Sequence, residues 1–505
     1  MTPLPVKLGS VTSDALTVNG QAQARRSYGG TFGVLAAGVL AYAVLQSLVS
    51  PVLPTIQHSL HTSQNTVTWV LTVYLLSASV FTPIFGRIGD KIGKKRVFVF
   101  AMGALAVGSL LAALTTSIGL LIAARAIQGI GGATLPLCFG IIRDEFPPDK
   151  VGGAVGVSAA LTAVGGGLGI VLAGPIVDNL GYHWLFWIPL IVTTLAAVAA
   201  HFMIPESPVR AEGPISVVGG LLLTLWLVAL LIAVSEGSTW GWASGKTLGL
   251  IGIAAVIAVI WYFAESRSKA PLIDMQMMRK PAVWTNNLVA LLFGAGMYSA
   301  MSFLPEFVQT PKSTGYGFGA SITGSSLFML PLVVGMFIFG MMTGRLGARF
   351  GSKLMVFVGA VLSTLGYALI AFAHSERWEV FVASGLMGIA FGVAFSAMSN
   401  LIVVAVPPEQ TGVATGMNAN IRTIGGSIGS QVCGSIIAAT IVGTSLPKES
   451  GFTHAFAVLA GFGLLASIAV PLIPGARKGE EHVPEQAHAE LALVPAGTLV
   501  GSESE

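Results

Sequence analysis

Charge is what this sequence has least of. Of its 505 residues only 10% are Asp, Glu, Lys or Arg, against roughly 25% in a soluble domain. So few cannot coat a soluble globule of this length. Cysteine is nearly absent. Cys138 and Cys433 both lie in apolar runs, which excludes a disulfide framework and a metal-ligand spacing. No Walker P-loop is present, so direct use of ATP is not expected. There is no nucleophile elbow, and the histidines, including His482 and His488, are scattered. An enzyme, a cofactor and a metal centre are therefore not expected. The net charge of +4 is no nucleic-acid signature. The 63 glycines follow no Gly-x-y period, which excludes collagen; glycine at that level suits membrane helices, where small residues let backbones approach.

What the chain has instead is long apolar runs. Hydrophobic residues make up 54% of it, with a mean hydropathy of +0.81. A span needs roughly 20 apolar residues. Such runs sit near 32–56, 66–86, 97–116, 119–142, 152–175, 184–204, 214–234, 246–266, 284–308, 319–343, 353–374, 378–405, 410–441 and 453–474. The first is too long for a signal h-region, so it reads as an uncleaved span behind a polar tail, 1–31. Residues 475–505 read as a disordered acidic tail. The expected class is an all-α membrane protein with 14 transmembrane helices.

Charge orients the spans. With the amino terminus inside, inner segments hold twenty of the 26 Lys and Arg residues, and outer loops hold Lys246, Lys312, Arg377 and Lys448. That is the distribution the positive-inside rule demands. Arg125 and Arg422 fall inside spans. Trp184, Trp240, Trp242, Trp284 and Trp378 fall near span ends, where indole prefers the interface. A multi-pass protein of the cell membrane with both termini cytoplasmic is expected.

The chain also repeats itself. Gly86-Arg87-Ile-Gly-Asp90-Lys-Ile-Gly93 is echoed by Gly344-Arg345-Leu-Gly-Ala348-Arg349-Phe-Gly351, and Pro147-Pro-Asp-Lys-Val-Gly152 by Pro407-Pro-Glu-Gln-Thr-Gly412. Gly156, Gly165, Gly166, Gly169 and Gly174 align with Gly416, Gly425, Gly426, Gly429 and Gly434 at one constant offset. Spans 1–6 therefore match spans 9–14, and parallel repeats of this kind imply a two-fold axis along the membrane normal. The expected units are two six-helix bundles, 32–205 and 284–474, with an inserted pair, 214–266. Gly165, Gly169, Gly174, Gly425 and Gly429 are candidates for close helix packing.

On these motifs the sequence resembles the major facilitator superfamily, and within it the fourteen-span drug:proton antiporter branch. The resemblance covers about residues 32–474. It implies the major facilitator fold and alternating access, with no cofactor, and a monomer that meets a small-molecule substrate, protons and the bilayer but no nucleic acid. It implies a conformational switch at Gly86, Arg87, Asp90 and Gly93, with Arg345 and Arg349 in the second copy. The plain alternative for Asp90 is a helix cap among cations. Arg125 of Leu121-Ile-Ala-Ala-Arg125-Ala-Ile-Gln128-Gly129 matches the family's proton-coupling arginine. Glycine-rich span 5 resembles the antiporter motif, with Ile170 where the family has proline. Many members carry an aspartate in span 1; Leu45 stands there.

Without that acid, another must carry the proton. Ionisable groups inside a bilayer are costly, about 2.5–3.5 kcal/mol at a helix centre, and so are usually functional. Glu306 is the first candidate and Asp178 the second, since a poorly hydrated carboxyl holds its proton more readily. Arg125 would tune a neighbouring acid. Candidates for the substrate cavity are Gln46, Trp69, Tyr74, Gln128, Met297, Tyr298, Met301, Asn418 and Arg422. The expected function is proton-driven export of amphipathic drugs or natural products. The alternatives are a transporter of one metabolite or lipid, an importer included, and a non-transporting sensor or scaffold.

Overall fold

The computed structural model describes residues 13–62, 64–207, 210, 216–268, 271–437 and 447–474. The tail 475–505 and residues 1–12 lie outside them. Uniformly apolar sequence satisfies its backbone internally only as helix in a membrane, and helix dominates the described residues. The first half contains α1 (Ser13–Leu48), α2 (Leu53–Ser59), α3 (Gln64–Ile92), α4 (Lys94–Leu114), α5 (Ile118–Gly129), α6 (Thr134–Glu145), α7 (Pro148–Leu180) and α8 (Trp184–Met203). A 3-10 turn, Ile130–Ala133, joins α5 to α6 as one crossing. The inserted pair is α9 (Val217–Trp240) and α10 (Gly245–Arg267). A short α11 (Met275–Met278) leads into α12 (Pro281–Gln309), α13 (Ile322–Phe350), α14 (Ser352–Phe372), α15 (Arg377–Ala405), α16 (Thr411–Ile437) and α17 (Glu449–Ala469).

The same helices pair in both halves. α1 packs on α7 as α12 packs on α16, α4 on α8 as α14 on α17, and α3 on α5 as α13 on α15. The helices thus form two pseudo-symmetric six-helix bundles, the arrangement that the resemblance implies. Punctuation follows the repeat as well. Gly93 at φ +121° and Gly351 at φ +86° end α3 and α13, a backbone region that only glycine adopts without cost. Hence α3 extends past the expected end at 86 and carries Asp90 within the helix, because nothing breaks it before Gly93. α1 likewise starts at Ser13, ahead of the apolar run. Elsewhere Ser216, Ser244 and Ser321 cap α9, α10 and α13 by accepting from the third residue onward, which satisfies an orphan N–H at each helix start.

Among the described residues, thirteen helical stretches are long and apolar enough to cross a membrane. α16 is not one of them, although its 27 residues run through the body, packed on α12 and α3. It is the fourteenth crossing, rich in Gly, Ser, Thr and Asn. The inserted pair packs on itself and, through α9, on both α3 and α16. α10 turns Leu248, Val256, Val259 and Phe263 outward, as a helix bathed in lipid tails does. The five tryptophans expected at span ends are exposed there.

Candidate functional site

Among the helix pairs that join the bundles, α3 with α16 and α7 with α13 meet on glycine. A Cβ on Gly86 of α3 would lie 2.7 Å from the Gly412 carbonyl of α16, and one on Gly344 of α13 would lie 2.8 Å from Gly153 of α7. The repeated motif thus meets the start of the opposite bundle's glycine-rich helix twice. These contacts sit at the end of the molecule that carries Arg87, Arg96, Arg345 and Arg349, here called the basic end.

Polar bonds cross at the same end. Val413 N donates to Asp90 Oδ2 at 3.3 Å, and Arg143 donates to the Val406 carbonyl at 2.7 Å and to Thr411 Oγ1 at 2.8 Å. Asp90 is fully buried and faces the first turn of α16, where unsatisfied N–H groups favour an anion. Lys94 lies 3.7 Å from Asp90 and 2.6 Å from Asp144, and Ser207 also donates to Asp144. Although it stands in the basic run Lys94-Lys95-Arg96, Lys94 is fully buried, because two carboxylates surround it. Arg87 is half-buried beside Asp90, whereas Arg345 and Arg349 are exposed, and Arg349 stacks on Phe350.

Further from the basic end, α3 and α16 part. Their last bond runs from Asn420 to the Ser79 carbonyl. Beyond it opens a chamber of about 320 Å³, with Tyr74 of α3, Tyr298 and Met301 of α12, and Ser427 and Gln431 of α16 in its wall. Its floor is a smaller recess of about 60 Å³ that includes Met297, Phe395 and Arg422, and the two share Gln46, Ser47, Tyr298 and Met301. Ile170 lines the chamber, and so does Ser235 of the inserted helix α9.

Arg125 is fully buried and stands apart from this cavity. Nε donates to the Val70 carbonyl at 3.2 Å and Nη1 to Gln128 Oε1 at 2.7 Å. Gln128 donates on to Ser109. The guanidinium also lies 4.1 Å from the ring centre of Tyr74, and Tyr74 reaches the cavity wall. The expected acid beside Arg125 is replaced by a carbonyl, an amide and a π face.

Three residues expected at the cavity lie elsewhere. Trp69 packs toward α9, Gln128 is spent on Arg125, and Asn418 donates to Asn287 of α12 at 2.8 Å. Glu306 is exposed, one turn beyond Ser302 of the chamber, and Asp178 is exposed near the end of α7. Gly165 and Gly169 seat α7 on α1, Gly425 and Gly429 seat α16 on α12, and Gly174 is buried. The sequence does contain a signal for the missed wall. Thr423, Gly426, Ser427, Ser430 and Gln431 fall at i, i+3, i+4, i+7 and i+8, a polar stripe on one helix face.

Residues 35–430 match the Major Facilitator Superfamily. The chain is 27% identical over 403 residues to Multidrug resistance protein 3 of Bacillus subtilis, covering 79% of this chain and 77% of that one. It is 26% identical over 428 residues to the Tetracenomycin C resistance and export protein of Streptomyces glaucescens, covering 83% and 77%. The crystal structure of the human organic anion transporter MFSD10 (TETRAN) superposes with a TM-score of 0.64 at 16% identity, over 87% of this chain and 99% of that one. At that identity the likeness is one of fold alone.

Proposed function

Because this chain belongs to the Major Facilitator Superfamily, we propose that it exports amphipathic drugs or natural products in exchange for protons. One-sided closure carries the reading. α3 and α16 touch through glycines in the basic half and part around a cavity in the other half, while α7 stays packed on α13 as far as Gly167 and Val333. Bundles joined at one end need only rock to open that end and close the other, which is alternating access. Relatives named for multidrug resistance and for tetracenomycin C resistance and export support an outward direction. In this reading the basic end lies in the cytoplasm of a cell-membrane protein, where the excess of Lys and Arg belongs. Both termini lie there too, and the moving units of the monomer are 32–205 and 284–474, with 214–266 alongside.

Asp90 acts as the latch of the closed basic end. Its charge at the start of α16 contributes about 0.3–1 kcal/mol, up to about 2 in a buried setting. Asp90→Asn keeps the shape and removes that charge, so turnover should slow several-fold while drug binding persists. Weakened binding at an undiminished saturating rate would contradict the assignment.

Proton transfer is assigned to Glu306 at the chamber mouth, with Asp178 as the second choice. The test uses everted vesicles with anionic, neutral and cationic drugs, reading drug-dependent proton movement. Wild-type protein should show it, and Glu306→Gln should abolish it in a folded, inserted protein. If Glu306→Gln transports at the wild-type rate with an unchanged pH dependence, Glu306 is an interface residue only.

A further inference from the structure

The walls of the chamber and its floor carry one charged side chain, and it is a cation without a counter-ion. Arg422 lies 11 residues into the 27-residue α16, roughly 16 Å from the basic end at 1.5 Å per residue. It borders the floor recess, with its guanidinium carbon 4.9 Å from the centre of the Phe395 ring. Among the described residues no hydrogen bond or ion pair engages that guanidinium.

Other interior cations of this protein are treated differently. Arg125 has a carbonyl and Gln128, Arg143 has a carbonyl and Thr411, and Lys94 has two carboxylates. Arg422 is left with donors turned to a recess that can hold only a small group. A guanidinium presents its N–H groups as a planar fork that fits carboxylate, sulfonate and phosphate oxygens in pairs. Its charge acts in low-dielectric surroundings, where one unopposed cation sets the sign of the whole site. No Asp or Glu lines either volume. The carboxylates nearest along the chain, Glu306 and Glu236, stand one turn beyond Ser302 and next to Ser235.

We propose that the cavity takes amphipathic anions. A compact carboxylate, sulfonate or phosphate group sits on the floor against Arg422, and the apolar body fills the chamber against Leu71, Leu75 and Met301. This rests on the transport reading above and narrows its substrate. A lipophilic cation would meet a like charge at the floor and find no carboxylate in the walls to hold it.

The test is counterflow exchange in proteoliposomes of the purified full-length protein, with equal pH on both sides so that proton coupling is not required. Fluorescein and rhodamine 6G share a xanthene core and carry opposite charge; neutral chloramphenicol is the third probe. Fluorescein should exchange faster than rhodamine 6G. Arg422→Gln should lower fluorescein exchange between about tenfold and a hundredfold, the worth of one or two hydrogen bonds to a charged group. Arg422→Lys should fall between. Gln46→Glu leaves Arg422 in place and adds a carboxylate to the shared wall, so it should depress fluorescein exchange and raise that of rhodamine 6G. This second variant separates charge from any structural part Arg422 plays. Preference of the wild type for rhodamine 6G, or fluorescein exchange indifferent to both Arg422→Gln and Gln46→Glu, overturns the proposal. Exchange of rhodamine 6G or chloramphenicol without fluorescein removes the anion assignment and leaves transport standing. Exchange of none of the three removes both.

Discussion

Gly86→Val is expected to stop transport and leave the protein folded, with the basic end held open. In the closed arrangement the first added carbon would lie 2.7 Å from the Gly412 carbonyl and 2.9 Å from its carbon, both backbone atoms that cannot rotate away. Overpacking of this kind costs about 1–3 kcal/mol. Here the cost falls only on the state in which α3 and α16 touch, so it acts on the conformational equilibrium, about 5- to 150-fold. Each bundle keeps its own core, and thermal unfolding should change little. The readout is thiol labelling of Thr415→Cys, a buried position on α16 one turn past that contact. Native Cys138 and Cys433 are buried and are replaced in the background. Labelling should be slow while Gly86 is in place and fast once Gly86→Val is added. Wild-type transport by Gly86→Val would show that the two helices need not meet in the cycle.

Arg125→Ala should be the most damaging single substitution at the cavity's flank. Truncation strips Gln128 Oε1 of its donor and takes the cation from the Tyr74 ring. It also empties the volume of a fully buried arginine. A stranded buried polar group costs about 1–3 kcal/mol, and the void adds to that. Tyr74 is held from behind by Arg125 and faces the chamber, so the cavity wall loosens with it. Arg125 is thus a positioning residue. Transport should fall at least about a hundredfold, with thermal stability lowered. Arg125→Lys should restore part of both, since an ammonium reaches one acceptor and not the fork. If Arg125→Ala lowers stability while saturating transport per folded molecule stays at the wild-type level, the link through Tyr74 is wrong.

The fold was legible because its signals are long-range and redundant. Span lengths, the charge asymmetry and the constant offset between the glycine series each constrain the same arrangement. The cavity was legible only in part. In water an apolar stripe tells inside from outside; in a membrane lipid tails and neighbouring helices both accept apolar residues, so the phase of a helix about its axis is hard to read. Trp69 and Tyr74 show this, one turned to α9 and the other to the chamber. Arg125 and Gln128 do share one face, yet that face turns to Ser109 and the Val70 carbonyl. Lys94 misleads for another reason. A lysine among lysines reads as a solvated cluster, and only tertiary structure brings Asp144 to it from 50 residues away.

The polarity of α16 bears on how the protein is made. A segment leaving the ribosome is admitted to the bilayer largely by its own transfer free energy, and an arginine at the centre of such a segment costs about 2.5–3.5 kcal/mol on that scale. With Arg422, two asparagines and few large apolar side chains, α16 cannot enter on its own account. It must be delivered against α12 and α3, whose surfaces receive its glycines and amides. Synthesis of the second bundle therefore stays incomplete until the first bundle stands ready. If the amino terminus lies inside, a reporter fused just behind Ile437 stands outside when α16 crosses and inside when it does not, so a large side chain in place of Gly294 of α12, which meets the Arg422 backbone, should bring the reporter inside while α12 itself remains a span.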